Sequence, residues 1–433
     1  MTDHRTADPS GSGADRLPPT AVAGGVVASL SLIVIGIITL SGAGGSVKLP
    51  FWCMRCGLRP ALDILLNVLL FVPLGLGLGL GRTRLRWATL VVLAVTCSVE
   101  ALQFAVVPGR FASARDILTN TAGGIIGFYI ARDWRGLVLP PPRRALLLGG
   151  AAILLWLATQ LFTAWALVVA VPDGTWWAQV SRHDRGFPAH FPGRVVRLSI
   201  GSSAILYSDT LQDSERARSE WVRGAPVAAV VTSTPENSGP APILVIAADA
   251  TPTEVIALAQ QGTGVFFRVR TRAAVIGLRN PAILLGDVFL PGSEADTITV
   301  SARYSDGEYE IDSERGGGRR QFALAASASW LWALLMPLRH STLGAESRWI
   351  TVAWLFIALA LPGFWLAQWD DGESVHSRRR IAVVALFAGG LFIGLALVPL
   401  TFGLSRSHWS EWLAAAGGAA AGMVSGSLLR RAA

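Results

Sequence analysis

The sequence predicts a polytopic α-helical membrane protein of about eight spans with an inserted all-β sandwich domain. Of its 433 residues, 52% are hydrophobic and only 15% are charged, which is typical of a chain that lies mostly in lipid. Apolar runs of about 20 residues, long enough to cross a ~30 Å hydrocarbon core, occur before residue 172 and after residue 338. Between them, segments that alternate with period two indicate β-strands.

The composition and the distribution of charge indicate which classes of partner to expect. The formal net charge of +8 comes from arginines that cluster in short loops beside apolar runs. Such clustering is typical of the cytoplasmic loops of membrane proteins and does not indicate nucleic-acid binding. Three cysteines are too few for a disulfide framework. We therefore expect membrane lipids as partners, no nucleic acid and no cofactor, and no feature predicts the oligomeric state.

The first part of the chain divides into a tail and a membrane domain. Residues 1–20 are polar and rich in Pro, Gly, Ser and Asp, which predicts a disordered cytoplasmic tail. Residues 21–171 contain five apolar runs, which predict a five-helix membrane domain. A cleaved signal peptide is disfavoured because the tail lacks a compact basic region and the first run exceeds the usual ~7–15 residues.

The arginines of the short loops predict the orientation. Loops 82–86 and 132–144 together hold seven arginines, whereas the loop at 108–115 holds two. Cytoplasmic loops carry the excess of Lys and Arg, so we expect these two basic loops in the cytoplasm of a bacterial cell. The fifth helix then ends outside, the segment after it is extracytoplasmic, and both termini are cytoplasmic.

Three of the apolar runs carry a pair of polar side chains at helical spacing. The pairs are Asp63 with Asn67, Glu100 with Gln103, and Asp116 with Asn120. Residues three or four apart share one helix face, and a carboxylate inside a membrane helix is costly unless it has a partner. The predicted orientation places all six at the outer ends of their helices. We therefore expect one outward-facing pocket, with Arg110 and Arg115 on the loop above it.

The same residues carry a family resemblance. The string that carries it is Asp63, Asn67, Phe71, Pro73, Leu74, Gly75, Ser98, Glu100, Gln103, Arg110, Asp116, Asn120, Gly124 and Gly127. In order and spacing it resembles the VanZ-like family of small bacterial membrane proteins, over roughly residues 20–135. That family is named for a teicoplanin-resistance determinant. The resemblance therefore implies a cell-envelope role and a contribution to glycopeptide resistance, but no particular reaction.

Three interpretations of the polar residues remain open. In the first, which we favour over catalysis, they bind a lipid headgroup, a glycan or a glycopeptide-related ligand, with Arg110 holding phosphate or carboxylate. In the second, they are structural hydrogen bonds between helices. In the third, Glu100 or Asp116 is the general acid or base of an envelope-modifying enzyme, or Asp63, Glu100 and Asp116 hold a divalent metal.

The loop before the second helix contains Cys53 and Cys56. Structural zinc takes four ligands, and no second pair of Cys or His lies nearby, so we expect no metal site. On the oxidising side of the membrane the two cysteines are expected to form a local disulfide, with a redox-active pair as the alternative.

Residues 172–321 have the sequence of an extracytoplasmic β-sandwich. Segments such as RVVRLSI, APILVIAADA, GVFFRVRTR and DTITVSARY predict strands separated by Gly, Pro, Asp and Ser turns. The stretch that contains the turn Asp306–Gly307 is similar to concanavalin-like (laminin-G-like) sandwiches, which implies carbohydrate or peptidoglycan-fragment binding. A structural or protein-binding module is the alternative. His183 and His190 lack further ligands, so we expect no metal there.

The remaining chain returns to the membrane. Residues 322–338 are apolar but short of the ~20 residues that a span requires, so we expect an interfacial or re-entrant segment. Residues 339–433 contain three apolar runs, which predict a C-terminal three-helix membrane region.

Overall fold

The computed structural model describes residues 19–41, 60–107, 112–181, 189–206, 210–211, 213–248, 251–290, 296–336, 342–369 and 376–433. The chain divides into two compact units. The first comprises Met1–Gly57 with Asp63–Leu137, and the second comprises Leu58–Leu62 with Val138–Ala433. The predicted disulfide of Cys53 and Cys56, and the predicted site residue Arg110, lie outside the described residues.

The first unit is helical. Its elements are α1 (Pro19–Leu40), α2 (Pro60–Leu80) from Asp63 onwards, α3 (Leu85–Val106), α4 (Ala114–Arg132) and the short α5 (Trp134–Val138) as far as Leu137. The first three are long and apolar enough to cross a membrane. Helix α4 forms as predicted, but its charged, amide and glycine residues make it less apolar than its neighbours.

Close contact between α2 and α4 organises this unit. A Cβ atom added at Gly123 would lie 2.2 Å from Val68 O, and one added at Gly127 would lie 2.0 Å from Val72 O. Carbon and oxygen atoms cannot approach so closely, so only glycine fits at these two positions. The motif Gly123-x-x-x-Gly127 therefore brings the two backbones together, as small residues do in membrane helix pairs.

The second unit begins with α6 (Pro142–Leu167) and continues into two antiparallel sheets. The five-stranded sheet has the order β1 (Trp176–Val180), β5 (Asn237–Ala248), β6 (Thr251–Gly262), β7 (Gly264–Val269) and β8 (Ala282–Leu285). The six-stranded sheet has the order β11 (Gly318–Ala325), β10 (Glu308–Arg315), β9 (Thr297–Ser305), β4 (Val227–Thr232), β2 (Val195–Ile200) and β3 (Ser203–Ile205). Two short helices, α7 (Ser214–Val222) and α8 (Arg272–Val275), lie between strands.

The predicted β domain is thus present, and its two sheets meet through aromatic side chains. Phe267 of β7 packs edge-on against Tyr309 of β10, with ring centroids 6.3 Å apart, and both residues are fully buried. The predicted turn at Asp306 and Gly307 joins β9 to β10 with φ values of 50° and 75°. Two positive φ values in a two-residue loop are typical of a type I′ hairpin.

The segment that follows the β domain differs in its boundary from the prediction. Strand β11 continues to Ala325, so residues 322–325, which we expected in an interfacial segment, pair with β10. Within the described part of residues 322–338 the only helix is α9 (Leu331–Leu335). Five residues of helix rise ~8 Å, which is far less than a membrane span requires.

The C-terminal helices are α10 (Ser347–Ala367), α11 (His376–Phe392), α12 (Val398–Thr401) and α13 (Trp409–Ala432), with a π-helical segment at Ile393–Leu397. Glycines again allow close packing, because Gly418, Gly422 and Gly426 of α13 each face a backbone carbonyl of α10. Over the described residues, seven helical segments are long and apolar enough to span a membrane, and α4 accounts for the difference from the eight predicted.

We expect Gly127→Ala to lower the free energy of unfolding by roughly 1–3 kcal/mol, because α2 and α4 must separate to admit the methyl group. The matched control is Gly36→Ala in α1, where an added Cβ meets no atom within 4 Å. Alanine favours helix over glycine by up to ~1 kcal/mol, so this control should be neutral or stabilising. Unfolding in detergent checks both, and equal losses would contradict the packing argument.

Candidate functional site

The three predicted polar pairs lie at neighbouring helix ends. Asp63 lies in the first turn of α2, and Asp116 in the first turn of α4. Glu100 and Gln103 lie in the last two turns of α3. Hydrogen bonds and ion pairs connect Asp63, Glu100 and Asp116 through Ser113 and Arg115. Gln103 and Asn120 have partners of their own on other helices.

Arg115 joins α2 to α4. Its Nη2 atom lies 3.7 Å from Asp63 Oδ2, and its Nε atom lies 3.4 Å from Asp116 Oδ1. The Arg115 side chain is only 10% exposed, whereas those of Asp63 and Asp116 are 42% and 22% exposed. A buried guanidinium is therefore flanked by two carboxylates that remain partly open to ligands.

Glu100 holds the start of α4. Its Oε2 atom accepts a hydrogen bond of 2.7 Å from the backbone N–H of Ser113, and the Glu100 side chain is buried. Ser113 is the N-cap of α4, and its hydroxyl oxygen accepts a bond from the N–H of Asp116. A negative group at a helix N-terminus is also favoured by the helix dipole. Glu100 thus has a structural task that its spacing did not predict.

Gln103 and Asn120 connect further helices. Gln103 Nε2 donates to the backbone oxygen of Thr39 in α1 at 2.9 Å, and Asn120 Nδ2 donates to Thr96 Oγ1 in α3 at 2.8 Å. Both amide side chains are buried. Asn120 Oδ1 is also buried and accepts no hydrogen bond from the residues that the structure describes.

Asn67 behaves differently from the other two amides. It is partly exposed, and its side chain makes no hydrogen bond with any described residue. The predicted site residues therefore fall into two groups. Glu100, Gln103 and Asn120 are buried between helices, whereas Asp63, Asn67 and Asp116 are partly open.

The carboxylates of this region are not grouped as metal ligands among the described residues. No cluster of three His, Cys, Asp or Glu side chains there is placed to hold a metal ion. Asp63 and Asp116 instead lie on either side of Arg115.

A second buried polar cluster, in the second unit, was missed by sequence reasoning. Glu411 in the first turn of α13 accepts hydrogen bonds from Ser327 Oγ at 2.8 Å and from Ser329 Oγ at 3.3 Å. Ser329 Oγ in turn accepts a bond from Gln160 Nε2 in α6. No pair in this cluster has helical spacing, so the sequence contained no signal except single polar residues near apolar runs. The cluster ties α6 and α13 to the segment that leaves β11.

The shifted titratable groups of the β domain serve its fold. The hydroxyl and the backbone N–H of Ser202, with help from Arg216, hold the pKa of Glu220 at about 2. Burial raises the pKa of Tyr309 well above its usual value, and burial together with Asp306 raises the pKa of Tyr304 to about 12. Neither tyrosine is therefore suited to proton transfer near neutral pH.

The bond between Asn120 and Thr96 gives a direct measure of helix coupling. We expect Asn120→Ala and Thr96→Val to destabilise the protein less in combination than the sum of the single changes, with a coupling of roughly 0.6–2 kcal/mol. Thr121→Val is the control partner, because Thr121 donates only to Ile117 O of its own helix, and it should be additive with Asn120→Ala. Additivity in both cycles would show that the interhelical bond contributes nothing.

Comparison with known proteins agrees with the residue pattern of the first unit. The family model described as VanZ/LLP1 matches residues 21–138. No curated protein matches the chain, and no solved structure does. The membrane segment at residues 21–138, which contains all the polar pairs, is therefore similar to the VanZ/LLP1 family.

Proposed function

We propose that the first unit binds a polar component of the cell envelope at the helix ends that carry Asp63, Asn67 and Asp116. The observation that carries the proposal is the exposure of two carboxylates on either side of the buried Arg115. Polar groups that serve only to join helices are normally buried and fully bonded. Carboxylates that are oriented by a guanidinium and remain accessible are suited to recognising a ligand.

The partly exposed carboxylates of Asp63 and Asp116 favour a ligand that donates hydrogen bonds. Both pair with Arg115, and an ionised carboxylate accepts more than one hydrogen bond. An amine, a hydroxylated sugar or a glycopeptide offers such donors. Arg110, on the connecting loop, is proposed to bind a phosphate or carboxylate of the same ligand.

The buried members of the region are proposed to hold the site in shape. Glu100 supports the first turn of α4, and Gln103 and Asn120 tie α3 to α1 and α4. A general acid or base must reach its substrate, so the burial of Glu100 and the bond of its carboxylate to a backbone N–H favour a structural role over a catalytic one for this residue.

The β domain is proposed as a second contact for the envelope component. On the outer row of its six-stranded sheet, Glu310 pairs with Arg303 and accepts a hydrogen bond from Gln321, while Asp312 pairs with Arg319. The carboxylates, guanidinium groups and amide of this row offer both hydrogen-bond acceptors and donors to a glycan or a peptide. The resemblance to a teicoplanin-resistance family extends the proposal to glycopeptide resistance.

We expect Asp63→Asn and Asn67→Ala to reduce the amount of ligand that co-purifies with the protein by about tenfold or more, the scale of one lost hydrogen bond to a charged group. Mass spectrometry of the protein in its native lipid measures this, and teicoplanin susceptibility of expressing cells is the second readout. Ser98→Ala is the control, because the Ser98 hydroxyl is exposed and donates only to Ala94 O of its own helix.

Thermal stability separates this proposal from the purely structural scaffold. A binding site predicts ligand loss with almost unchanged unfolding temperature in both variants. Loss of ligand and of teicoplanin resistance only in proportion to the loss of folded protein would favour the scaffold. No co-purifying molecule in the unaltered protein, together with unchanged susceptibility in all variants, would reject binding.

We further propose that the β domain is extracytoplasmic and that both termini are cytoplasmic, because of the arginine distribution. In a protein with Cys53, Cys56 and Cys97 replaced by serine, a cysteine at exposed Glu215 of α7 should react with a membrane-impermeant thiol reagent in intact cells. A cysteine at Thr83, in the basic turn after α2, should react only after the cells are opened. The reverse pattern would overturn the orientation.

A further inference from the structure

A small pocket lies at the end of the first unit away from Asp63 and Asp116. It has a volume of about 200 Å³ and is formed where α2 and α4 end and α1 begins. Gly79 and Ala131 form its narrow wall, and Arg82, Arg132 and Arg135 line it. It brings together arginines from two loops that are about 50 residues apart in the chain.

The three arginines have no competing partner in the described part of the chain. None of their guanidinium groups makes a hydrogen bond or an ion pair there, and Arg135 only stacks over Trp134, at 5.5 Å from the ring centroid. No carboxylate is among the described residues that line the pocket. Its positive charge is therefore not neutralised within the described part.

The three guanidinium groups are not needed to cap the ends of α2 and α4. The carbonyl of Gly79 at the end of α2 accepts the backbone N–H of Arg82, and the carbonyl of Tyr129 at the end of α4 accepts the N–H of Asp133. A bias of positive charge to one side of the membrane requires arginines in these loops, but it does not require three of them around one cavity.

The level at which the pocket is expected to lie in the membrane indicates the kind of ligand. Helix α2 has 21 residues, which at ~1.5 Å each cross the ~30 Å hydrocarbon core and bring its last turn to the headgroup layer. Trp134 is 40% exposed beside the pocket, as is typical of aromatic residues at the membrane interface. The volume is below the ~300–1,000 Å³ of sites for drug-sized ligands, so it suits a single headgroup.

From these observations we infer that this pocket binds the phosphate group of an anionic phospholipid. The planar guanidinium forks of Arg82, Arg132 and Arg135 match the oxygens of a phosphate ester. The acyl chains extend into the bilayer alongside the helix ends. The site is separate from the polar region of Asp63 and Arg115 and does not depend on the function proposed for it.

The test uses the full-length protein in nanodiscs that contain phosphatidylglycerol and phosphatidylcholine, followed by stepwise removal of lipid with detergent. Native mass spectrometry counts the lipids that remain bound. We expect the unaltered protein to retain phosphatidylglycerol preferentially, and Arg82→Gln combined with Arg135→Gln to retain it about tenfold less. Arg84→Gln combined with Arg143→Gln removes the same charge from the same two loops, outside the pocket, and should change nothing.

Two further arms make the outcome decisive. The unfolding temperatures of the two double variants should be equal. If the pocket variant unfolds at a lower temperature, Arg82→Lys serves as the control, because it keeps the charge and should restore part of the phosphatidylglycerol retention. Inorganic phosphate, added in place of lipid, should not protect the protein against heat. Equal lipid loss in both double variants would show that the pocket is not the lipid-binding site. Protection by inorganic phosphate, without a preference among lipids, would overturn the assignment of the ligand to a phospholipid.

Discussion

The close contact of α2 with α4 is the constraint on which the polar site depends. Between Gly123 and Val68, and between Gly127 and Val72, there is no room for a single carbon atom. Arg115 lies on the same helix as these glycines, about two turns earlier, and its guanidinium contacts Asp63 at the corresponding level of α2. If the helices were separated by one methyl layer, the 3.7 Å contact of Arg115 with Asp63 would lengthen and this ion pair would weaken.

The buried polar residues of α3 and α4 are stabilised by hydrogen bonds that join different parts of the helical unit. A polar group in hydrocarbon is costly unless it is bonded, and Glu100, Gln103 and Asn120 each find a partner on a different helix. These bonds fix α1, α3 and α4 around the crossing of α2 and α4. Asp63, Asn67 and Asp116 lie at the partly exposed rim of this frame.

The sequence predicted which polar residues share a helix face, but it did not predict the residues to which they form hydrogen bonds. Pairs such as Asp116 and Asn120 follow directly from helical periodicity, and the Asp306–Gly307 turn follows from the φ values that a two-residue hairpin needs. Thr96 and Ser113 were not predicted, because a lone hydroxyl in an apolar helix or a loop has no pattern. The cluster at Glu411 was invisible for the same reason, since its members come together only when distant segments pack. Pairing across the fold, rather than periodicity, decides these contacts.

The two ends of α2 and α4 carry opposite chemistry, and the glycine contacts lie between them. Asp63 and Asp116 begin these helices, whereas Arg82 and Arg132 follow or close them. The two helices are parallel, because Gly123 meets Val68 and Gly127 meets Val72, so their first turns lie at one end of the unit and their last turns at the other. Gly79 and Ala131 continue the same line of close contacts into the wall of the basic pocket. The crossing of α2 and α4 therefore sets the geometry of both ends, and a change at Gly127 acts on the acidic rim and on the arginine pocket through one structural cause.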